Sequence, residues 1–206
     1  RLMSYFARAE YNYKYKYLLS VMARRDGSTR FGAANKFGIF TSASAGWIMT
    51  EENFMSSLGF IDFAKMRVSY GTTGNDKIGD FRFLSSLNGE GVYVFDGNTL
   101  AIGTAPGALS NPLIKWEKNK QFNVGIDLEF LNNFSLTADY FIKTTSDLLL
   151  EVPVSGLTGV GANGSGSPTA NAGSVRNKGL ELAINYNKVM SDDLEINLGY
   201  NIATLS

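Results

Sequence analysis

The fold of this chain follows from the stretch Phe122-Asn123-Val124-Gly125-Ile126-Asp127-Leu128-Glu129-Phe130. Every second residue in this stretch is apolar, and each residue between them is polar or glycine. Side chains along a β-strand point alternately to its two faces, so the stretch has one apolar face and one polar face. The pattern therefore predicts a strand that separates an apolar environment from a polar one.

The same alternation recurs along the chain and predicts about eight strands. Eight such strands, joined in turn by short links and long polar loops, are typical of the wall of an all-β, antiparallel transmembrane β-barrel. The residues expected to face lipid are Val124, Ile126, Leu128, Leu136, Tyr140, Leu182, Ile184 and Leu198. The residues expected to face the lumen are Arg8, Arg24, Arg67, Asp127, Glu129, Asp139, Lys143 and Glu181.

The links between the predicted strands differ in length, and the difference predicts the side of the membrane that each link faces. Long polar loops are expected at residues 26–37, 75–115 and 146–174, in strict alternation with short links. Outer-membrane barrels have short periplasmic turns and longer outside loops, so the long loops are expected to face outward. The second long loop contains a predicted hairpin at residues 92–98, and a helical turn capped by Thr50 is expected after the third strand. A tight turn at Leu131-Asn132-Asn133 is expected to join the fifth and sixth strands.

The composition excludes several classes of function. Basic and acidic residues each number 19, so no nucleic-acid-binding surface is indicated. Cys and His are absent, which excludes thiol nucleophiles, imidazole bases and the usual zinc ligands within this chain. No apolar run exceeds four residues, far below the roughly 20 that a membrane helix needs. We therefore expect no catalytic site, metal or cofactor, and a membrane role only as a barrel.

Aromatic residues supply the candidate contact sites. Four of them lie in the second long loop, where exposed rings can stack on a ligand or contact a partner protein; they are Phe81, Phe83, Tyr93 and Phe95. A loop that packs its own rings together explains these residues at least as well. Five others, expected at strand ends on the apolar face, predict an aromatic girdle at the membrane interface or else the core of a sandwich. They are Tyr5, Tyr11, Tyr17, Trp47 and Tyr186.

The dinucleotide-binding pattern GxGxxG occurs as Gly159-Val160-Gly161-Ala162-Asn163-Gly164. That pattern requires a helix after it, whereas Ser165-Gly166-Ser167-Pro168 follows here. We interpret the segment as a flexible surface loop, because Gly and Ser are loop residues by default.

Several longer motifs stand in order along nearly the whole chain. They are Tyr17-Leu18-Leu19, Arg24-Arg25-Asp26-Gly27-Ser28-Thr29-Arg30-Phe31-Gly32, Ser44-Ala45-Gly46-Trp47, Glu51-Glu52-Asn53-Phe54-Met55, Arg67-Val68-Ser69-Tyr70-Gly71-Thr72-Thr73-Gly74-Asn75, Asn111-Pro112-Leu113-Ile114-Lys115-Trp116-Glu117, Thr144-Thr145-Ser146-Asp147-Leu148-Leu149 and Asn177-Lys178-Gly179-Leu180-Glu181. Together they resemble the C-terminal barrel region of the SusC/RagA family of TonB-dependent outer-membrane transporters.

This resemblance implies a barrel of about 22 strands closed by a plug domain. It also implies uptake of oligosaccharides or peptides through the outer membrane of a Gram-negative bacterium. A SusD-like surface lipoprotein would form the lid, and the TonB complex would act through parts outside this chain. We therefore expect residues 1–206 to be a partial barrel domain, with the plug and the remaining strands elsewhere.

Three other interpretations remain open from the sequence. One is a complete small barrel of eight strands that acts as an anchor or porin, although the absence of a signal peptide favours a piece of a longer protein. Another is a soluble β-sandwich that binds carbohydrate. The third is a barrel enzyme, against which the lack of His weighs.

Overall fold

Most of the chain forms one antiparallel sheet of eight strands, and two separate two-stranded sheets lie within the long loops. The computed structural model describes residues 1–85, 87–107, 109–155, 157, 167–191 and 193–206. The strands are β1 (Leu2–Tyr13), β2 (Tyr17–Ser28), β3 (Phe37–Ile48), β4 (Ile61–Asn75), β5 (Leu87–Phe95), β6 (Thr99–Pro106), β7 (Glu117–Phe130), β8 (Phe134–Ser146), β9 (Leu149–Glu151), β10 (Thr169–Asn171), β11 (Ser174–Ser191) and β12 (Leu194–Leu205). The large sheet has the order β1-β2-β3-β4-β7-β8-β11-β12.

The alternating pattern fixes the register of the large sheet. Val124 on β7, for example, lies opposite Val68 on β4 and Tyr140 on β8. A slip of one residue would bring polar neighbours onto the apolar face, so the apolar side chains hold the strands in this pairing. The eight strands predicted from the sequence are confirmed.

Two predicted turns are confirmed as well. β5 and β6 pair as a hairpin whose turn contains Asp96 and Gly97, with φ of 54° and 71°. The link between β7 and β8 contains Leu131 and Asn132, with φ of 54° and 59°. Positive φ at consecutive turn residues matches the twist of the paired strands and keeps the turn tight.

The structure corrects four details of the sequence analysis. β2 continues to Ser28, so Asp26 belongs to a strand, where it pairs with Ser4, and not to the loop that follows. The prediction that long loops and short links alternate strictly is wrong, because the link 49–60 is longer than the loop 29–36. The prediction that Thr50 caps a helical turn is wrong too. The 3-10 turn Met49–Glu51 contains this residue, and the N-cap position before it makes no side-chain hydrogen bond. Finally, β9 and β10 were missed, since strands of three residues give no alternation to read.

The GxGxxG segment at residues 159–164 lies outside the described residues. No helix within the described part of the chain is long and apolar enough to cross a membrane.

The buried core is small and lies under the long loops. It consists of Phe31, Phe40, Ile114 and Trp116, which we call the core cluster. The Trp116 ring lies 5.0 Å from that of Phe31 and 5.6 Å from that of Phe40. The Phe40 ring lies over Gly74, where an added Cβ would come within 2.0 Å of it, so only glycine fits. The cluster joins the loops to one end of the sheet.

Candidate functional site

The register divides the predicted site residues between the two faces of the large sheet. Directly paired residues on neighbouring strands share a face. One row contains Arg67, Gly125, Asp139 and Glu181, and we call its face the inner face; the face with Val124 is the outer face. All the residues predicted to face the lumen lie on the inner face, and all those predicted to face lipid lie on the outer face.

The inner face carries a compact charge cluster on β4, β7 and β8. Arg67 Nε lies 2.7 Å from Asp127 Oδ2, and Arg67 Nη2 donates to Asp127 Oδ1 and Asp139 Oδ2 at 3.0 Å each. The three side chains are 37%, 29% and 23% exposed, so water screens part of their interaction. One guanidinium thus holds two carboxylates from different strands and offsets their mutual repulsion.

Gly125 makes the room for this cluster. It lies between Arg67 and Asp139 in the cross-strand row. A Cβ at this position would lie 2.1 Å from Asp139 Oδ1 and 3.0 Å from Arg67 Nη2. Because Gly125 has no side chain, the Arg67 guanidinium reaches across β7 to the strand beyond it. The sequence placed Gly125 on the polar face but gave no sign of this role, which depends on the register.

The other inner-face charges are paired only in part. Arg24 Nε donates to Asp26 Oδ2 at 2.8 Å, and Arg8 pairs with the Glu10 carboxylate on the same strand. Within the described part of the chain, Glu129, Lys143 and Glu181 form no ion pair. The described residues also contain no group of three or more carboxylates that could hold a metal ion. This mixture of charges suits a hydrated polar surface.

An open groove on the inner face crosses β1 to β4. Its charged lining consists of Arg8, Glu10, Lys65 and Arg67, and small or polar residues such as Ser44 and Ser69 lie among them. Apolar side chains such as Leu18 also line the groove, so it offers both charged and apolar surface.

Asparagine side chains join the three long loops to one another. Asn35, between β2 and β3, donates from Nδ2 to the carbonyl oxygens of Leu113 and Ile114 at 3.1 and 3.2 Å. Asn111 donates from Nδ2 to the carbonyl oxygen of Thr169 at 3.0 Å. Each contact gives a backbone carbonyl group of one loop a donor from another loop, so the loops stabilise one another.

Asn171 makes the densest of these loop contacts. Its Oδ1 accepts from the Lys115 backbone N–H at 2.8 Å, and its Nδ2 donates to the carbonyl oxygens of Lys115 and Asp147 at 2.8 and 2.9 Å. Lys115 Nζ also lies 3.1 Å from Asp147 Oδ1, and Arg82 lies 3.6 Å from Glu151. The described parts of the three loops thus form one platform, which we call the loop platform.

The four aromatic residues predicted for ligand or lid contact differ in exposure. Phe81 is 64% exposed, whereas Phe83 is half-buried and packs against the core cluster. Tyr93 and Phe95 are exposed on β5, with their rings edge to face at 4.9 Å. Phe83 therefore also supports the loop platform. Contact of the four residues with a ligand or lid stays a prediction.

Aromatic rings line the short-link end of the outer face. The Tyr13 ring lies 6.4 Å from that of Tyr17, and the Phe134 ring lies 5.4 Å from Phe130 and 4.8 Å from Tyr186. Tyr13, Phe130 and Phe134 were not predicted for this girdle, although their position beside tight turns was an available signal. Of the predicted girdle, Tyr11, Tyr17, Trp47 and Tyr186 lie at this end, and Tyr5 lies at the opposite end of β1.

Glu52 fastens the link 49–60 to the sheet. Its carboxylate accepts hydrogen bonds from Tyr17 Oη at 2.7 Å, Trp47 Nε1 at 3.3 Å and Lys16 Nζ at 3.4 Å. The hydrogen bond from Tyr17 contributes most to lowering the pKa of Glu52 from its ordinary value of 4.5. Desolvation opposes this shift, Trp47 and Lys16 add to it, and the net direction is downward. These contacts hold the link 49–60 against the strand ends at Tyr17 and Trp47.

Comparison with known proteins identifies the family of this sheet. A family model described as TonB dependent receptor-like, beta-barrel matches residues 1–206. The chain belongs to this family. TonB-dependent receptor barrels are outer-membrane proteins of Gram-negative bacteria, and the predicted barrel fold class is confirmed.

Relatives place the chain within the family. TonB-dependent receptor P39 of Formosa agariphila is 44% identical over 184 residues, which are 89% of this chain and 17% of the relative. TonB-dependent receptor SusC of Bacteroides thetaiotaomicron is 36% identical over 205 residues, which are 98% of this chain and 20% of SusC. The chain therefore spans about a fifth of the length of the curated relatives that it matches.

Solved structures show the same likeness. The RagAB peptide transporter matches with a TM-score of 0.79 and 28% identity, over 100% of this chain and 22% of that chain. The predicted resemblance to the SusC/RagA family is confirmed by this match and by SusC. The named relatives are receptors and transporters, not enzymes, and they do not favour a soluble sandwich or a small anchor barrel.

Proposed function

We propose that residues 1–206 form eight neighbouring wall strands and the outer loops of a larger barrel that imports bulky nutrients through the outer membrane. The observation that carries this proposal is the division of the sheet into one apolar and one polar face. Large apolar side chains on the outer face are well exposed, among them Leu180 at 58% and Leu198 at 63%. Soluble monomers rarely expose contiguous apolar patches of more than a few hundred Å². Lipid contact removes this surface from water.

The two edge strands support a barrel that is larger than this sheet. Among the described strands of the sheet, β1 pairs only with β2, and β12 pairs only with β11. In lipid every backbone N–H and C=O group must be paired within the protein. The free edges of β1 and β12 therefore pair with further strands of the same barrel, and the inner face lines its lumen.

The loop platform faces outward in this proposal and meets substrate and a SusD-like lipoprotein lid. Tyr93 and Phe95 expose their rings on the β5–β6 hairpin within the second long loop, and aromatic rings suit stacking on sugars or peptide side chains. The likeness to the RagAB peptide transporter makes peptides one candidate substrate class, and oligosaccharides remain the other. The TonB complex supplies energy through parts of the protein outside this chain.

Gel electrophoresis of the outer-membrane fraction tests whether the protein forms a folded barrel in that membrane. Peptides of this chain should occur in that fraction, in a band that changes mobility when the sample is boiled, because folded barrels resist the detergent. A band of several times the 22.5 kDa of this chain is expected for a barrel that contains it. Recovery of the protein only from the soluble fraction would disprove the proposal.

Growth experiments test the substrate class. A strain that lacks the full-length gene should lose growth on either the oligosaccharide or the peptide source that the transporter imports. The Tyr93→Ala/Phe95→Ala variant, expressed in that strain, should restore growth only partly. Full growth of the deletion strain on every source of both classes would contradict import of these nutrients.

A further inference from the structure

Four cations lie on the outer face at the long-loop end of β7 and β11. They are Lys118, Lys120, Arg176 and Lys178. Each falls on the outer face because it stands at an alternate position before Phe122 or Leu180, which are outer-face residues. All four are exposed. Charged side chains on the outward face of a barrel strand are costly at the membrane midplane but cost little near its interfaces.

Three of the outer-face residues at this end form one cross-strand row. Lys120 on β7 lies opposite Thr144 on β8, which lies opposite Arg176 on β11. Neighbouring strands lie about 4.8 Å apart, so the two cations flank Thr144 with roughly 10 Å between their backbones. Arg176 Nε donates to Thr144 Oγ1 at 3.3 Å. Both cationic side chains are long enough to reach one group that lies above this hydroxyl.

Among the described residues, no negative charge compensates these cations on the outer face of β7, β8 and β11. The structure describes β7, β8 and β11 throughout, and no carboxylate lies on the outer face of these strands. None of the four cations forms an ion pair with a described residue. The acids of the same strands, such as Asp127, Asp139 and Glu181, lie on the inner face instead. The outer-face cations are thus left to an external anion.

The apolar neighbours of the four cations indicate what that anion is attached to. Phe122 and Ile142 lie on the same face in one row with Lys178, and Leu180 lies in the next row toward the short links. Lys and Arg place their aliphatic stems along apolar surface and keep their charged heads in the polar layer. An anion bound here therefore lies at the boundary between an apolar layer and water, as a lipid head group does.

We propose that Lys118, Lys120, Arg176 and Lys178 bind the phosphate groups of a phosphorylated lipid in the leaflet that the long loops face. Phosphate oxygens accept charge-assisted hydrogen bonds from Lys and Arg, and basic clusters at membrane surfaces bind anionic lipid head groups. This proposal rests on the proposed function, because it requires the outer face to lie in lipid. The bound lipid fixes the depth of the wall and holds β7 and β11 together across β8.

Lipid binding by the full-length transporter in neutral detergent tests the proposal, with bisphosphorylated lipid A as the probe. Each cation near an anionic membrane surface contributes about fivefold to the affinity. The Lys120→Gln/Arg176→Gln variant lacks two of them and should therefore bind this lipid roughly 25-fold more weakly. The Lys65→Gln/Lys143→Gln variant removes the same charge from the inner face and should bind as the parent protein does. The Lys120→Arg/Arg176→Lys variant keeps both cations and should retain most of the affinity.

Three results would overturn the proposal. Parent-like affinity of the Lys120→Gln/Arg176→Gln variant would show that these cations do not bind the lipid. Equal losses in the outer-face and inner-face variants would show an effect of net charge alone, and equal affinity for dephosphorylated lipid A would exclude phosphate recognition. The boiled and unboiled gel of each preparation separates the two proposals. A heat-shifted parent barrel with unaltered lipid binding in the variant refutes only the lipid site, whereas a soluble parent protein refutes the proposed function.

Discussion

Replacing Gly125 by alanine should break the charge cluster of the inner face. The added Cβ would lie 2.1 Å from Asp139 Oδ1 and 3.0 Å from Arg67 Nη2, so the carboxylate has to leave its place. Arg67 then keeps Asp127, whose Oδ2 lies 2.7 Å from its Nε, but loses the hydrogen bond that crosses β7. The change thus removes one contact between neighbouring parts of the wall without deleting a charged residue.

The expected loss follows from that one hydrogen bond and a matched control. Hydrogen bonds to charged groups contribute about 1.5–3 kcal/mol, and the partial exposure of both partners favours the lower end. Replacing glycine by alanine also stabilises by about 0.4–1 kcal/mol through the unfolded chain. Gly46→Ala shares this gain, because Gly46 lies in the same inner-face row but would meet its neighbours only at 3.4 Å or more. The Gly125→Ala variant should therefore be less stable than the Gly46→Ala variant by about 1.5 kcal/mol.

Denaturant unfolding of the full-length barrel in detergent measures this difference, with the unboiled gel band as the readout of folded protein. A second comparison uses the Asp139→Ala background, which lacks the carboxylate that the new Cβ would displace. There the difference between the Gly125 and Gly46 variants should shrink to a few tenths of a kcal/mol, as for sites without a shared partner. Equal stability of the two glycine variants in the parent background would refute the reasoning.

Three further changes test the outer face, the loop platform and the link 49–60. Val124→Arg places a charge at the centre of a lipid-facing strand and should lower the free energy of unfolding in a bilayer by about 2–4 kcal/mol. Asn171→Ala removes three hydrogen bonds, each worth about 0.5–1.5 kcal/mol, and should speed amide hydrogen exchange at Lys115. Glu52 has a lowered pKa in the folded state, so its stabilisation is complete above its ordinary value of 4.5 and is lost as the pH falls through the lower folded value. The fluorescence of Trp47, which donates to Glu52, should change in that lower window.

Each of these changes has its own control. Val124→Ala removes apolar surface without adding charge, and a Val124→Arg loss no greater than that of Val124→Ala would contradict lipid contact. Asn98→Ala, in the β5–β6 turn, should leave exchange at Lys115 unaltered, and an equal effect from both asparagine variants would argue against a specific clamp. Glu52→Gln should abolish the acid transition of Trp47. A transition with its midpoint above 4.5 in the parent protein would contradict the direction of the pKa shift.

The wall strands could be predicted because each of them carries its own evidence. A strand between two unlike environments must alternate strictly, so nine residues from Phe122 to Phe130 already show both faces and their polarity. The turn at Leu131 and Asn132 was equally local, since it separates two alternating stretches directly. The strands β9 and β10 lack such evidence because three residues are too few to show a period.

The contacts that shape the site could not be predicted because they join residues far apart in sequence. Arg67 and Asp139 are 72 positions apart, and the Asn171–Lys115 contact spans 56. Their meeting depends on the register of several strand pairs, which no single segment specifies. Gly125 and Asn171 therefore read as ordinary strand and loop residues until the neighbouring strands are in place. The cluster of outer-face cations could not be predicted either. That no carboxylate lies beside these cations becomes evident only when β7, β8 and β11 are aligned.

A cysteine scan of residues 122–130 with spin labels tests the central claim most directly. These 206 residues contain no cysteine, so after replacement of any cysteine elsewhere in the full-length protein, each label in a bilayer reports one position at a time. If the outer face meets lipid, labels at even positions such as Val124 should collide mainly with oxygen, which is concentrated in the bilayer. Labels at odd positions such as Asp127 should collide mainly with a water-soluble nickel complex. Collision rates without a two-residue period, or with the two sets exchanged, would contradict the account.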